Sequence, residues 1–300
     1  MGNDFEPVGG AGLPVPASAA AGPPLPPPPP QSDRPSQWKR GFPLPLRPRG
    51  VGETLDAAIN LYRLHWKQFM TLIAVLVVPF QFLSHAFEFA TSHDVVVYRT
   101  GQVIRQPSIG ITLLVAFLSF IVLDPLLRGS TTRAVADAYL GQEPRWRESL
   151  RFAVSKFWTL LGVSLLGGIL TALGFIIIVP GILMAIRYTV APMAVVVEGQ
   201  GVTGALSRAW NLCKGRTGHM FLVLLLSGLL TAIITGILSA PAAFLGTSTA
   251  WWSWIVQAIF ASAAAIIVTP FTTIVAVLLY FDARIRKEGF DIAVMAQELR

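Results

Sequence analysis

The sequence predicts an all-α fold, a polytopic membrane bundle of about six transmembrane helices. The chain is 53% hydrophobic and only 13% charged, whereas ordinary soluble domains carry about 25% charged residues. Its mean hydropathy is +0.61. Apolar runs long enough to cross a hydrocarbon core of about 30 Å recur along it.

The N-terminal segment, residues 1–48, is rich in Pro, Gly and Ala, and residues 22–30 read GPPLPPPPP. Such a chain buries too little apolar surface to fold, and a proline run favours the extended polyproline II conformation. We therefore expect a disordered, proline-rich tail, with a ligand for a polyproline-binding partner as the alternative. The transmembrane domain is expected over 49–291, followed by a short C-terminal tail, 292–300.

Six apolar runs predict spans at about 69–90, 108–127, 157–179, 181–198, 219–245 and 254–281. The termini and alternate connections on one side of the membrane hold twenty Lys and Arg, and the connections on the other side hold only Arg99 and Arg105. Because basic residues favour the cytoplasmic side, both termini are expected in the cytoplasm.

An amphipathic segment precedes each outward span, which predicts three copies of one unit. Residues 50–61 and 201–212 align without a gap, with identities at Gly50/Gly201, Val51/Val202, Leu55/Leu206, Ala58/Ala209, Asn60/Asn211 and Leu61/Leu212. Residues 143–158 repeat the pattern more loosely. The apolar stripe of the first copy consists of Leu55, Ile59, Tyr62, Trp66 and Phe69. We expect interfacial helix, span and return span three times, as parallel pseudo-repeats.

The basic faces of these three segments predict contact with anionic lipid headgroups at the cytoplasmic surface. The candidate residues are Arg63, Lys67, Trp66, Arg147, Arg151, Arg208 and Lys214. Simple connectors at the surface and a docking collar for a partner are the alternatives.

Small residues recur every fourth position in span five, at Gly228, Ala232, Gly236 and Ala240. Such a stripe lets another helix approach closely in lipid. Span three carries a shorter version, so packing of span three against span five is expected. A homo-oligomer or another membrane protein packed on the stripe is the alternative.

Arg187 lies inside span four, where a cation is costly and needs a partner or a route to the interface. Glu88 and His85, one turn apart near the outer end of span one, are the predicted intramembrane cluster with Arg187. Snorkelling, contact with a headgroup or an anionic substrate, and an ion pathway are the alternatives. His85, Glu88, His93 and Asp94 do not fix a full ligand set, so no metal site is predicted.

Familiar catalytic patterns are absent: there is no G-x-S-x-G elbow, no phosphate-binding GxxxxGK[ST] loop, no GxGxxG after a strand and no H-E-x-x-H pair. Cys213, the single cysteine, is expected to be a packed small hydrophobe, with acylation as the alternative. The sequence therefore predicts no enzyme activity, no cofactor and no nucleic-acid partner.

Three segments carry a family resemblance: VPGILMAIRYTVAPMAVVVEG (179–199), GVTGALSRAWNLCKGR (201–216) and LLYFDARIRKEGFD (278–291). They resemble bacterial, especially actinobacterial, integral-membrane proteins grouped with the membrane domain of glycerophosphoryl diester phosphodiesterases, and residues 47–69 are similar to the opening of those proteins. The resemblance implies a multi-span helical bundle with amphipathic intervening helices. The chemistry of those enzymes lies in a separate soluble barrel for which this chain has no room, so their activity is not implied.

Together these patterns predict a non-enzymatic protein of the bacterial cytoplasmic membrane that binds lipid or scaffolds partners. The alternative is a transporter or permeation pathway for an amphipathic or anionic solute.

Overall fold

The computed structural model describes residues 50–96, 103–106, 108–245 and 250–288, with the backbone alone for 94–96, 103–106 and 244–245. The predicted tails, 1–48 and 292–300, lie outside the described residues. In chain order the elements are α1 (Val51–Ala90), β1 (His93–Val96), β2 (Val103–Gln106), α2 (Ile109–Leu118), a π-helical turn (Ser119–Leu123), α3 (Asp124–Tyr139), α4 (Trp146–Ser155), α5 (Phe157–Gly174), α6 (Ile178–Tyr188), α7 (Ala191–Glu198), α8 (Val202–Cys213), α9 (Thr217–Leu245) and α10 (Ser253–Glu288).

Helix dominates the described chain, which confirms the predicted all-α membrane bundle. Six helical segments are long and apolar enough to span a bilayer: Val51–Ala90, Ile109–Tyr139, Phe157–Gly174, Ile178–Glu198, Thr217–Ala243 and Ser253–Glu288. The sequence did not predict the short antiparallel hairpin between the first two spans, which pairs His93 with Gln106 and Val96 with Val103.

The element order follows the predicted unit of amphipathic segment, span and return span. A backbone break separates each amphipathic segment from its span. In α1 the break is His65, with φ −119° and ψ 23°. Lys156 divides α4 from α5, and a turn containing Gly215, with φ 89°, divides α8 from α9. The first segment is thus joined to its span in one kinked helix, whereas the second and third are separate helices.

The first amphipathic segment packs on the bundle through a face of mostly small residues, next to the apolar stripe that is predicted to face the headgroup boundary. Thr54, Ala57, Ala58 and Leu61 are buried, while Ile59 and Trp66 of the predicted stripe are 41% and 46% exposed. Small side chains let helices approach closely. The narrow Ala face therefore packs against the protein, and the bulky apolar residues are left at the surface.

The packed core surrounds the second half of α10, where Ile274–Phe281 are all buried. α1 and α9 both pack along α10. Tyr139 of α3 stacks on Phe281, with ring centroids 4.6 Å apart. Offset aromatic pairs of this kind add about 0.5–1.5 kcal/mol to the effect of burial. α10 is thus the central helix on which the spans are assembled.

The small-residue stripe of α9 does not pack against α5, so that prediction is wrong. α9 packs instead on α10, α1 and α6. Gly228 and Gly236 are exposed, and a Cβ added at either would meet no atom within 4 Å. The neighbouring hydroxyls of Ser227 and Thr231 are the ones that are buried. Packing of another chain on the stripe remains a prediction.

Candidate functional site

Three spans of the bundle are irregular partway along their length. A π-helical turn precedes Asp124, the fourth span breaks between α6 and α7 next to Pro192, and α10 contains Pro270. At about 1.5 Å per residue, Asp124, Thr189 and Thr269 lie about 16–24 Å from the first residues of their helical segments, Ile109, Ile178 and Ser253. Broken helices within a membrane are tolerated where they line a cavity or are buried in protein.

Two cavities open at these irregularities. One, of about 400 Å³, lies between α2–α3, α5 and the α6–α7 break, and the other, of about 390 Å³, lies between α3, the α6–α7 break and α10. Asp124, Arg128, Thr189 and Pro192 line both cavities. The two spaces are therefore neighbours that share one wall, and each is within the size range of small-molecule sites, about 300–1,000 Å³.

The shared wall carries an ion pair inside a span. Arg128 Nε donates to both carboxylate oxygens of Asp124, at 2.7 and 2.8 Å, and the Ser164 hydroxyl donates to the same carboxylate at 3.1 Å. The pairing offsets the high cost of a charge within a bilayer. Among the described residues, the two terminal amino groups of Arg128 have no hydrogen-bond partner, and the side chain is 51% exposed.

Threonine dominates the lining of the cavity between α3 and α10, which we call the threonine cavity. Its threonines are Thr131, Thr132, Thr189, Thr269, Thr272 and Thr273. The hydroxyls of Thr131 and Thr273 approach each other across the helix pair at 3.3 Å. The Thr132 hydroxyl is fully buried and has no partner in the described part of the chain. An unpaired buried hydroxyl costs about 1–3 kcal/mol, so it marks a place where a bound group would be stabilised.

The sequence did not single out these residues. The sequence feature that could have identified them is a pair of stretches, GSTTR (129–133) and VTPFTT (268–273), in which adjacent hydroxyl residues interrupt otherwise apolar spans. Thr131 and Thr132 follow Arg128 by three and four residues and so share its side of α3. Only the folded chain shows that the two stretches face each other.

Among the described residues, no ion pair joins Arg187 to Glu88 or His85. Glu88 pairs with His85 at 3.6 Å. The guanidinium carbon of Arg187 lies 3.9 Å from the centroid of the Trp210 ring. A cation over an indole face is stabilised by the ring quadrupole, by about 2 kcal/mol when it is desolvated. Arg187 is therefore accommodated by an aromatic residue of α8 rather than by a carboxylate.

Most of the predicted headgroup residues are exposed at the surface: Arg63, Lys67, Trp66, Arg147, Arg151 and Lys214. Two of the cations lie over tryptophan rings of their own segments. Lys67 Nζ is 5.7 Å from the centroid of Trp66, and the guanidinium carbon of Arg147 is 5.0 Å from that of Trp146. Their contact with lipid remains a prediction.

Arg208, the remaining headgroup candidate, belongs to a partly exposed ionic cluster, and its contact with lipid remains a prediction. It donates to Glu198 at 2.8 Å and to Glu288 at 2.8 Å. Arg284 lies 3.5 Å from Glu198, and the Tyr280 hydroxyl donates to the same carboxylate. Hydrogen bonds to Glu198 and Glu288 raise the pKa of Arg208, so its cation is held by the protein.

The cluster connects the three segments that carry the family resemblance. Glu198 lies near the end of the first, Arg208 lies in the second, and Tyr280, Arg284 and Glu288 lie in the third. These segments join α7, α8 and the end of α10. In the structure, the three segments are therefore held together by this ionic cluster.

Comparisons of the chain with protein-family models, curated proteins and solved structures give no match. The resemblance to the membrane domain of glycerophosphoryl diester phosphodiesterases thus remains a prediction.

Proposed function

We propose that this protein binds an amphipathic, phosphate-bearing lipid between its spans, with the headgroup held at the Asp124–Arg128 pair. The observation that carries the proposal is the pair of neighbouring cavities that share this ion pair within the spans. A cavity wall that carries charges and hydroxyls supplies the few polar contacts that orient a ligand in an otherwise apolar site.

Arg128 is suited to a phosphate. Asp124 engages only its Nε, so the terminal amino groups remain for phosphate oxygens, which a planar guanidinium binds in a bidentate manner. Because Asp124 balances the charge of Arg128, a bound phosphodiester would add one negative charge to a neutral site. A zwitterionic headgroup would leave the site neutral.

The surroundings of the pair are suited to acyl chains. Phe120 and Phe175 line the cavity beside α5 and are 37% and 49% exposed. The ligand that fits this arrangement has a polar group at Asp124–Arg128 and an apolar part along the outer surface of α2 and α5. A fully water-soluble solute would leave that apolar surface unused.

The experiment is native mass spectrometry of the full chain in detergent with added phospholipid. Replacing Arg128 alone would leave Asp124 as an unpaired charge, so the test variant is Asp124→Asn with Arg128→Met. We expect it to lose bound phospholipid. Arg145→Met is the matched control, because Arg145 pairs with Glu148 at an exposed site, and it should bind as the wild type does. Equal phospholipid binding by the double variant would overturn the proposal.

A permeation pathway is the second candidate, favoured by one observation. Because the Asp124–Arg128 pair lies in the wall between two cavities, its rearrangement would join them into a longer passage. Proteoliposome flux of an anionic solute tests this function. Flux that is abolished in the double variant would support a pathway, and absence of flux in the wild type would exclude it for that solute.

A further inference from the structure

The threonine cavity presents oxygen lone pairs more than hydroxyl hydrogens. A threonine hydroxyl has one hydrogen to donate and two lone pairs to accept with. Thr131 donates to the Leu127 carbonyl at 2.5 Å, Thr189 to Ala185 at 2.8 Å, and Thr272 and Thr273 to Thr269 at 2.9 and 3.1 Å. Their hydrogens are thus directed to the backbone, and acceptor oxygens remain for a ligand.

A wall of acceptors selects a ligand that donates hydrogen bonds. We infer that the threonine cavity takes the ammonium group of a phosphoethanolamine-type headgroup while Arg128 takes its phosphate. This inference rests on the proposed function and names the class of headgroup. The Asp124 carboxylate, which also lines this cavity, favours a cationic donor over a neutral one.

Spacing along α3 agrees with the two-carbon link of this headgroup. Thr131 and Thr132 lie three and four residues beyond Arg128, which is one turn along the same face, or about 5 Å along the axis. A phosphate at Arg128 and an ammonium at the threonines would therefore lie about one helical turn apart. Phosphate and ammonium groups joined by two carbons can span such a distance without a change in the bundle.

Thr132 provides an independent observation. Its side chain is fully buried and lines the cavity, yet its hydroxyl has no partner among the described residues. Unlike the hydroxyls of Thr131, Thr189, Thr272 and Thr273, the Thr132 hydroxyl retains both its hydrogen and its lone pairs. A bound ammonium would satisfy a lone pair, and an aliphatic headgroup would leave the hydroxyl unpaired.

The test compares phosphatidylethanolamine with phosphatidylcholine of identical acyl chains, by native mass spectrometry of the full chain. N-methylation keeps the phosphate and the net charge but removes every N–H donor. We expect about a tenfold preference for phosphatidylethanolamine, as one net hydrogen-bond contribution implies. Thr132→Val and Thr273→Val keep the side-chain shape and should each reduce that preference. Thr71→Val is the matched control, since Thr71 is exposed and its hydroxyl donates to the Lys67 carbonyl of its own helix.

The outcomes separate the inference from the proposed function. Equal binding of the two lipids would overturn the inference and leave lipid binding intact, whereas binding of neither would overturn both. Soluble phosphoethanolamine and phosphocholine form a second arm of the experiment. If the free headgroup shows the same preference and displaces the lipid at equal concentration, donor recognition stands and the ligand is a solute. An unchanged lipid preference in both Val variants, with thermal stability like that of the wild type, would also overturn the inference.

Discussion

Arg187 stacks on Trp210, with the guanidinium carbon 3.9 Å from the centroid of the indole ring. The two residues come from different repeats, since α6 belongs to the second unit and α8 opens the third. Arg187 Nε is buried and has no hydrogen-bond partner in the described chain. Among the described contacts, the aromatic face is therefore the main one that offsets the cost of placing this cation within a span. The contact also joins α6 to α8.

Replacement of these two residues should give non-additive losses of stability. Trp210→Leu leaves Arg187 without its ring, and Arg187→Met leaves Trp210 without its cation, so each should lower the unfolding temperature. In the double variant the second change should cost less, with a coupling of about 1–2 kcal/mol. Denaturation in detergent measures the free energy of unfolding of the wild type, the two single variants and the double variant. Trp158→Leu is the control, because Trp158 is 80% exposed, and strictly additive effects would contradict the stacking.

Loss of Arg208 should destabilise the junction of α7, α8 and α10. Arg208→Gln removes one partner of Glu198 and of Glu288, whose side chains are only 13% and 29% exposed, and leaves Arg284 as their remaining cation. Removal of one partner from a buried ion pair lowers the free energy of unfolding by about 3–5 kcal/mol. Because this cluster is partly exposed, we expect a loss near or below the lower of these values. Thermal unfolding in detergent is the measurement.

The matched control for Arg208 is Arg145→Gln, whose pair with Glu148 has 72% and 69% exposed side chains. It should unfold at the temperature of the wild type. Comparison of the two variants also distinguishes a structural role of Arg208 in the ionic cluster from a role as a cation that binds lipid headgroups. If Arg208 acted as a headgroup cation, its replacement would change binding of anionic vesicles and leave the unfolding temperature as it was.

Periodicity and hydropathy were sufficient to predict the membrane spans, but they could not predict which polar residues pair with each other. The six spans follow from apolar length, which a sequence shows directly. Glu198, by contrast, is paired with Arg208, ten residues along the chain, and with Arg284, far from both in sequence. Such a contact depends on how α7, α8 and α10 pack, and no local pattern encodes it.

The choice of packing face shows the same limit. Hydrophobicity alone would rank Ile59 and Trp66 above Ala57 and Ala58 as residues to bury in the protein, which is the order that holds in water, and it does not identify the Ala face as the packed one. In a bilayer, lipid solvates large apolar side chains, and close helix contact favours small ones. The structure follows the second rule, with Ala58 fully buried and Trp66 46% exposed.

Cys213 should react slowly with maleimide in the folded protein. Its side chain is fully buried, and burial raises the pKa of the thiol to about 12. Raising the pKa favours the neutral thiol, so even at pH 9 only about one molecule in a thousand would be thiolate. Labelling followed by mass spectrometry should therefore show little modification in mild detergent and complete modification in denaturing detergent. Rapid labelling at pH 7 of protein that remains folded would contradict this environment.

Two glycines should respond oppositely to the same substitution. A Cβ at Gly129 of α3 would lie 3.2 Å from the Ala153 Cβ of α4, with Leu160 closer still, whereas a Cβ at Gly228 of α9 would meet no atom within 4 Å. Gly129→Ala should therefore destabilise the bundle, because α3 and α4 would have to separate. Gly228→Ala should leave the monomer as stable or raise its stability by up to about 1 kcal/mol, through the gain in helix propensity.

The bulkier variant Gly228→Leu extends the glycine comparison to the association of copies. If a second copy packs on the exposed stripe, this variant should shift the purified protein toward monomer while its unfolding temperature stays near that of the Gly228→Ala variant. Light scattering in detergent measures the mass of the protein, and thermal unfolding measures the stability. A wild-type protein that is already monomeric, or a Gly228→Leu variant that keeps its oligomeric mass, would show that the stripe faces lipid. In lipid, Gly228 and Gly236 need no partner, because acyl chains can fill the space above them.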